Sequence, residues 1–222
     1  MAWMKRLAAP KWWPIERKTR KFVAVPRGPH KKESSLPLIV FIRDVLKLAE
    51  NSNEAESVIK KGEILVDGEK RKDPHYGIGL LDVIDIPSVK KSFRAIPKIG
   101  GGLTFIEISD SNKKICKITN KKILKGNKLQ FNLLGGRNFI SNTKYSTHDS
   151  LLIELPNQNV LEHLEFKKGN LALVFNGKNA GTIGKIKNIE EKKIWIGEET
   201  SIEVPRDYVI IVGKDKSLIQ LK

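Results

Sequence analysis

The stretch PLIVFIRDVLKLAENSNEAESVIKKGEILVDGEKRK, Pro37 to Lys72, decides the fold. Pro37 suits a first helical turn, and Leu38, Phe41, Ile42, Val45, Leu48 and Ala49 recur at three- and four-residue spacing, so a helix is expected here. Arg43, Lys47 and Glu50 fall on its opposite face. Asn51 can cap a second helix, with Glu54 three residues on reaching back to it, Ala55, Val58 and Ile59 as the buried side and Gly62 as the stop. Ile64 and Val66 then alternate up to Asp67-Gly68, a strong two-residue turn, and the chain returns through Glu69-Lys-Arg-Lys72 towards Leu81-Asp-Val-Ile-Asp-Ile86. The expected unit is helix, helix, hairpin, strand.

Around this unit the charge is uneven. The 222 residues carry 41 Lys and Arg against 25 Asp and Glu, a formal charge of +16 that attracts polyanions. Residues 1–36 alone hold ten basic and two acidic residues, whereas 37–95 hold ten of each, 96–166 ten against six, and 167–222 eleven against seven. Nucleic acid is therefore the expected partner. A membrane is not, because runs such as Leu38-Ile-Val-Phe-Ile42 fall far short of the roughly 18 to 20 apolar residues of a span, and no signal peptide is visible. The single cysteine, Cys116, permits no intrachain disulfide and no cysteine-based zinc cluster, which suits a reducing compartment such as the cytoplasm.

Residues 1–36 read as a basic N-terminal arm, since they hold three of the four Trp and four Pro but no periodicity long enough for a core. Trp12 and Trp13 beside Lys11 and Arg17 offer flat rings for stacking and cations for phosphates, or else clamp the arm onto the body. The arm is expected to be largely mobile until RNA orders it.

Residues 96–166 read as all-β, from the short apolar runs Leu103–Ile108, Ile115–Ile118, Leu129–Leu133 and Leu151–Leu155. Catalytic patterns are weak throughout. Gly100-Gly-Gly102 lacks the Lys-Ser/Thr of a phosphate loop and reads as a turn or linker. His148-Asp149-Ser150 holds triad residue types, but sequence adjacency does not give triad geometry, and a polar loop is the better reading. Glu162-His163-Leu164-Glu165 lacks the two His of a metalloprotease helix, and the four His in total make no metal site. No cofactor, metal or small-molecule substrate is expected.

The helix–helix–hairpin unit resembles the alpha-L RNA-binding motif through Leu46, Glu54-Ala55, Ile59, Gly62, Ile64, Val66, Asp67-Gly68 and Asp82-Val-Ile84. Asn51-Ser52 and Leu81-Asp82 stand where that family has Ser-Arg and Gly-Asp. From Phe166 onward, Lys168-Gly169-Asn170, Leu171-Ala-Leu-Val174, Gly177, Gly181, Gly184 and Lys185-Ile186 resemble the KOW motif. That resemblance implies an SH3-like barrel completed by strands at Ile194–Ile196, Ile202–Val204 and Tyr208–Val212, with Trp195 in its core. The whole chain resembles the archaeal and eukaryotic small-subunit ribosomal proteins of the e-type number four family. Lys5-Arg6-Leu7-Ala8-Ala9-Pro10 followed by Lys11 and Trp13 carries the N-terminal signature, and Gly28-Pro29-His30-Lys31, Cys116-Lys117 and Gly169-Asn170-Leu171 agree; Trp3 replaces the signature's His.

The expected architecture is α+β and multi-domain: arm 1–36, alpha-L domain 37–95, central β domain 96–166 and KOW barrel 167–222. The resemblance implies a non-enzymatic constituent of the small ribosomal subunit in the cytoplasm, bound to ribosomal RNA and neighbouring ribosomal proteins. A KOW-containing transcription elongation factor and the targeting module of an RNA-modifying enzyme are the rival readings. The expected RNA contacts are Lys5, Arg6, Lys11, Trp12, Trp13, Arg17, Lys18, Arg20 and Lys21 in the arm. In the alpha-L domain they are Arg43, Lys60, Lys61, Lys70, Arg71 and Lys72.

Overall fold

The structure, a computed structural model, describes residues 3–197 and 201–221; Met1 and Ala2 of the arm, and Glu198, Glu199, Thr200 and Lys222 of the last segment, lie outside the described residues. Strands predominate and helices are few and short. The chain forms two compact units, residues 1–95 with 107–111 and residues 96–106 with 112–222. The first unit thus holds residues 1–95 together with 107–111 of the expected central segment, and the second holds the rest of that segment with the last.

In the first unit the helix pair follows the capping signals. Helix α1, Leu38–Val40, continues as a π-helical turn, Phe41–Val45. It ends earlier than the apolar spacing predicts, because Lys47 turns into the left-handed region (φ 54°) while the amides of Leu46 and Leu48 close onto the carbonyls of Phe41 and Ile42. The wide turn shifts the helical phase, so Leu48 is left exposed while Ala49 is buried. Helix α2, Ser52–Lys61, starts and stops where expected: the Glu54 carboxylate accepts from the backbone of Glu50 (3.0 Å) and Asn51 (3.4 Å), and Gly62 adopts φ 77°.

The strands Leu65–Val66 and Glu69–Lys70 pair across Asp67-Gly68, both of which have positive φ as a type I′ turn requires. Asp67 also accepts the amide of Val83 at 3.0 Å, tying the turn to the next strand. The sheet of this unit runs Glu69–Lys70, Leu65–Val66, Val83–Ile86 and then the strand that begins at Lys91. Arg94 is buried in this unit, where desolvation lowers its pKa to about 10 against the opposing pull of Asp110 and Asp67.

The arm does not match the expectation of a mobile tail. Trp3–Lys5 pairs antiparallel with Phe22–Ala24, and Val23, Ala24, Val25 and Ala9 are buried. Trp13 is 3% exposed and donates its indole N–H to the carbonyl of Ser35 at 3.1 Å. Arg17 spans the carbonyls of Leu7, Ala9 and Pro10. The arm is tied to the alpha-L segment through Arg27, whose amide donates to the carbonyl of His75 at 2.7 Å and whose carbonyl accepts from Gly77 at 2.6 Å, and through the Trp3 ring, which meets His75 edge-on at 5.3 Å.

The second unit contains two five-stranded antiparallel sheets. One is ordered Asn138–Ser141, Leu129–Leu133, Lys113–Ile123, Ser150–Glu154, Val160–Leu164; the other Ile202–Pro205, Lys193–Ile196, Ile183–Ile189, Leu171–Val174, Val209–Gly213. They are joined inside the unit by buried polar contacts. Ser150 Oγ accepts the amide of Ile211 at 3.0 Å, and Lys117 Nζ donates to the carbonyls of Arg206 (3.0 Å) and Asp207 (2.9 Å). Gly100, Gly101 and Gly102 all have positive φ and make a turn, not a phosphate cradle. Trp195, expected in the core, is half-buried.

Candidate nucleic-acid interface

The predicted basic residues of the first unit divide into those on offer to a ligand and those already committed. Lys5, Lys11, Lys18, Arg20 and Lys21 of the arm are exposed, as are Lys60, Lys61, Lys70 and Lys72. Lys60 and Lys61 close helix α2, where a cation complements the helix C-terminus. Lys60 pairs with Glu56 one turn earlier at 2.7 Å, a solvated pair that a phosphate can displace at small cost. Arg27, Lys31 and Lys32, absent from the expected set, are exposed too.

Three of the expected arginines and one tryptophan are already engaged within the protein. Arg6 is buried and donates Nε to the carbonyl of Glu16; burial first, then the positive field of Arg43, lowers its pKa. Arg43 grips Asp44 through two hydrogen bonds, at 3.0 and 2.6 Å, and donates to Ser52 Oγ at 2.7 Å. Ser52, in the slot where the related motif has Arg, thus completes an internal network. Arg17 is spent on carbonyls, as described. Trp13 is sealed in the protein and offers no face for stacking. The physical reason is shared: each of these groups is surrounded by backbone carbonyls or carboxylates of the same unit that satisfy it.

Arg71 is intermediate, paired with Glu69 at 2.5 Å and lying over the ring of Tyr76 at 4.6 Å. Trp12 is half-buried and hydrogen-bonded to the carbonyl of Glu33 at 2.9 Å. The rings the arm does expose are others. Trp3 is 53% and Phe22 50% exposed, and Lys5 lies directly opposite Phe22 in the ribbon. Cross-strand partners share a face, so Trp3, Lys5 and Phe22 make one surface, with Lys21 Nζ 5.5 Å from the Phe22 ring. Only the strand register reveals this surface, which is why the sequence pointed to Trp12 and Trp13.

The triad-like residues do not form a catalytic array. Asp149 accepts from the amides of Ser146 and Phe166 and lies 2.8 Å from His163, organising a loop, while the Ser150 hydroxyl is buried and accepts from Ile211. The His148 pKa is lowered by burial and by Lys117 and Arg206. Among the described residues no cluster of His, Cys, Asp and Glu is arranged to hold a metal, and no helix is long and apolar enough to cross a membrane.

Comparison with known proteins covers nearly all of the chain in sequence and most of it in structure. Three family models match in order: the RS4NT (NUC023) domain at residues 3–33, the S4 domain at 36–84, and Ribosomal family S4e at 89–160. The small ribosomal subunit protein eS4 of Methanocella arvoryzae is 38% identical, over 98% of this chain and 96% of the relative. Those of Methanococcus aeolicus and Archaeoglobus fulgidus are 43% and 42% identical, over 98% of this chain and 96% and 97% of the relatives. The crystal structure of the 30S ribosomal protein S4e from Thermoplasma acidophilum superimposes with a TM-score of 0.72 at 26% identity, covering 82% of this chain and 96% of that one. With near-complete coverage at this identity, and with arm, helix pair and hairpin all in place, the chain belongs to the ribosomal S4e family.

Proposed function

We propose that the protein is a structural constituent of the small ribosomal subunit in the cytoplasm, where it binds ribosomal RNA and neighbouring ribosomal proteins and catalyses no reaction. The observation that carries this reading is the near-complete match to small-subunit proteins by a chain whose first unit leaves its lysines exposed. Lys60, Lys61, Lys70 and Lys72 contact phosphates, Lys5 and Lys21 neutralise phosphate beside the arm, and Trp3 and Phe22 pack on an unstacked base or a neighbouring protein. The arm's remaining exposed cations, Lys11, Lys18 and Arg20, add to the same field. Specificity then comes from the shape of folded RNA matched by a preformed surface, not from base edges read in a groove.

The finer layout belongs to the same proposal. The segments 37–95 and 96–166 act as an alpha-L domain and a central β domain, and 167–222 as a KOW-type SH3-like barrel. The sheet order of that last segment and the positive φ of Gly169, Gly177 and Gly181 support the barrel.

Sedimentation of a cell extract on a sucrose gradient tests the function. The protein is expected with the small subunit at physiological salt and partly released at high salt, since phosphate contacts weaken with ionic strength. Migration with RNA polymerase or as free protein would overturn it.

A further inference from the structure

We propose that the β-hairpin of the second unit, Lys113–Ile123 with Leu129–Leu133 and the edge strand Asn138–Ser141, is a second RNA-binding surface. The proposal rests on the RNA-binding reading above and extends it to a region whose sequence gave no functional signal. Residues 111–148 contain no Asp or Glu and nine Lys or Arg. Two of the nine, Lys114 and Lys117, are buried; Lys121, Lys122, Lys125, Lys128 and Lys144 are exposed. None of these five forms an ion pair among the described residues. A merely solvated hairpin ordinarily mixes charges of both signs. Here four unpaired lysines gather at one tip, where Leu124 and Lys128 close the turn through a 2.8 Å hydrogen bond. Their mutual repulsion is relieved by a polyanion.

The two faces of the hairpin differ, and the register shows how. Lys121, Phe131 and Phe139 stand opposite one another on one face. There Phe131 is fully buried, stacked on Phe139 at 5.2 Å and met edge-on by Tyr145 at 5.3 Å, so the middle of that face is closed by its own aromatics, while Lys121 and Ile123 nearer the tip stay exposed. The other face aligns Asn120 with Asn132 and Asn138, and Lys122 with Gln130 and Ile140. It is a platform of amides and one cation around an isoleucine left 58% exposed, and Gln130 donates to Asn132 at 3.0 Å, fixing both amides. Amides donate and accept, which suits ribose hydroxyls and base edges, while the tip lysines suit the phosphates alongside. Neutral amides beside lysines favour RNA over an acidic protein, which would call for more cations on the face itself.

The test uses the full chain. Lys121, Lys122, Lys125 and Lys128 are replaced together by Ala, and affinity for small-subunit ribosomal RNA is measured across salt concentrations. The expected result is a loss of about tenfold or more at physiological salt and a salt slope shallower by roughly 0.7 to 0.9 per lysine. The Lys→Arg versions should restore binding. In parallel, a Lys125→Cys chain carries an iron chelate, the native Cys116 being buried and protected from labelling. In the assembled subunit it should cleave ribosomal RNA near the tip. If wild-type protein binds the RNA but the Ala variant binds equally well, or the tethered iron cleaves no RNA, the hairpin proposal is wrong and the general reading stands. If the variant keeps RNA affinity but fails to enter the subunit, the surface docks a protein and the proposal is likewise wrong. If wild-type protein itself fails to bind ribosomal RNA, the general reading fails.

Discussion

His30 Nε2 lies 2.9 Å from Asp82 Oδ2, so the last residues of the arm are fastened to a carboxylate 52 positions along the chain. The same oxygen accepts the amide of Gly79 at 2.7 Å, and the His30 ring lies close beside that glycine. A Cβ on Gly79 would lie 2.1 Å from Nδ1 of the ring, a distance no real contact shows. The glycine, the histidine and the aspartate are therefore one device for holding the arm.

Gly79→Ala should destabilise the protein by about 2 kcal/mol or more, within the range for overpacking a filled site. In a His30→Ala background most of that cost should vanish, since the obstructing ring is gone. Urea denaturation of the four chains of this cycle measures the coupling. An equal cost in both backgrounds would place the strain elsewhere.

Trp13→Ala should cost about 3 to 5 kcal/mol, the usual range for removing a large buried aromatic, and should expose the arm. Trypsin is the second readout. In the wild-type chain cleavage at Lys18, Arg20 and Lys21 should be slow even without RNA, because the strand Phe22–Ala24 beside them is paired and buried in part. In the variant it should be rapid. Rapid arm loss from free wild-type protein would restore the picture of a tail that folds only on RNA.

Arg43 and the lysines of the same unit should behave differently. Arg43→Ala leaves Asp44 and Ser52 without their donor, so its main effect should be lost stability of about 1 to 3 kcal/mol, with little change in the salt dependence of RNA binding. Replacing Lys60, Lys61, Lys70 and Lys72 with Ala should leave the melting temperature nearly unchanged and flatten the salt slope by roughly 0.7 to 0.9 per residue. Calorimetry and salt-dependent filter binding separate the two outcomes, and a flattened slope for the Arg43 variant would contradict its structural assignment.

Lys117 should give the protein a stability that rises in mild alkali. Burial lowers its pKa from 10.5 to about 8, the carboxylate of Asp207 opposing and Arg206 adding to the shift. Below about pH 8 the ammonium is charged in both states and the burial cost is constant. Between about pH 8 and 10.5 the folded chain has released the proton and the unfolded chain still holds it, so unfolding takes up a proton and stability increases with pH. The gain is at most about 3 kcal/mol. Lys117→Met should lack this increment while leaving the carbonyls of Arg206 and Asp207 without their donor. Identical pH profiles for the two chains between 8 and 10.5 would refute the assignment.

Features that depend on neighbours along the chain were legible before any folding was considered. Asn51 with Glu54, then Gly62, delimit helix α2 because caps satisfy backbone groups within a single turn. Asp67-Gly68 sets a hairpin because only those residue types accept two successive positive φ angles. The runs Leu103–Ile108, Leu129–Leu133 and Leu171–Val174 are strands from end to end, and the N-terminal signature marked the family. Tertiary structure alone decided what depends on partners far away in sequence. It buried Trp13 beneath Ser35 and turned Trp3 and Phe22 outward, spent Arg43 on Asp44 and Ser52, and fixed which face of the basic hairpin is closed by Phe131. Side-chain alternation makes each strand two-faced, and only the long-range register and the packing against it choose which face meets water.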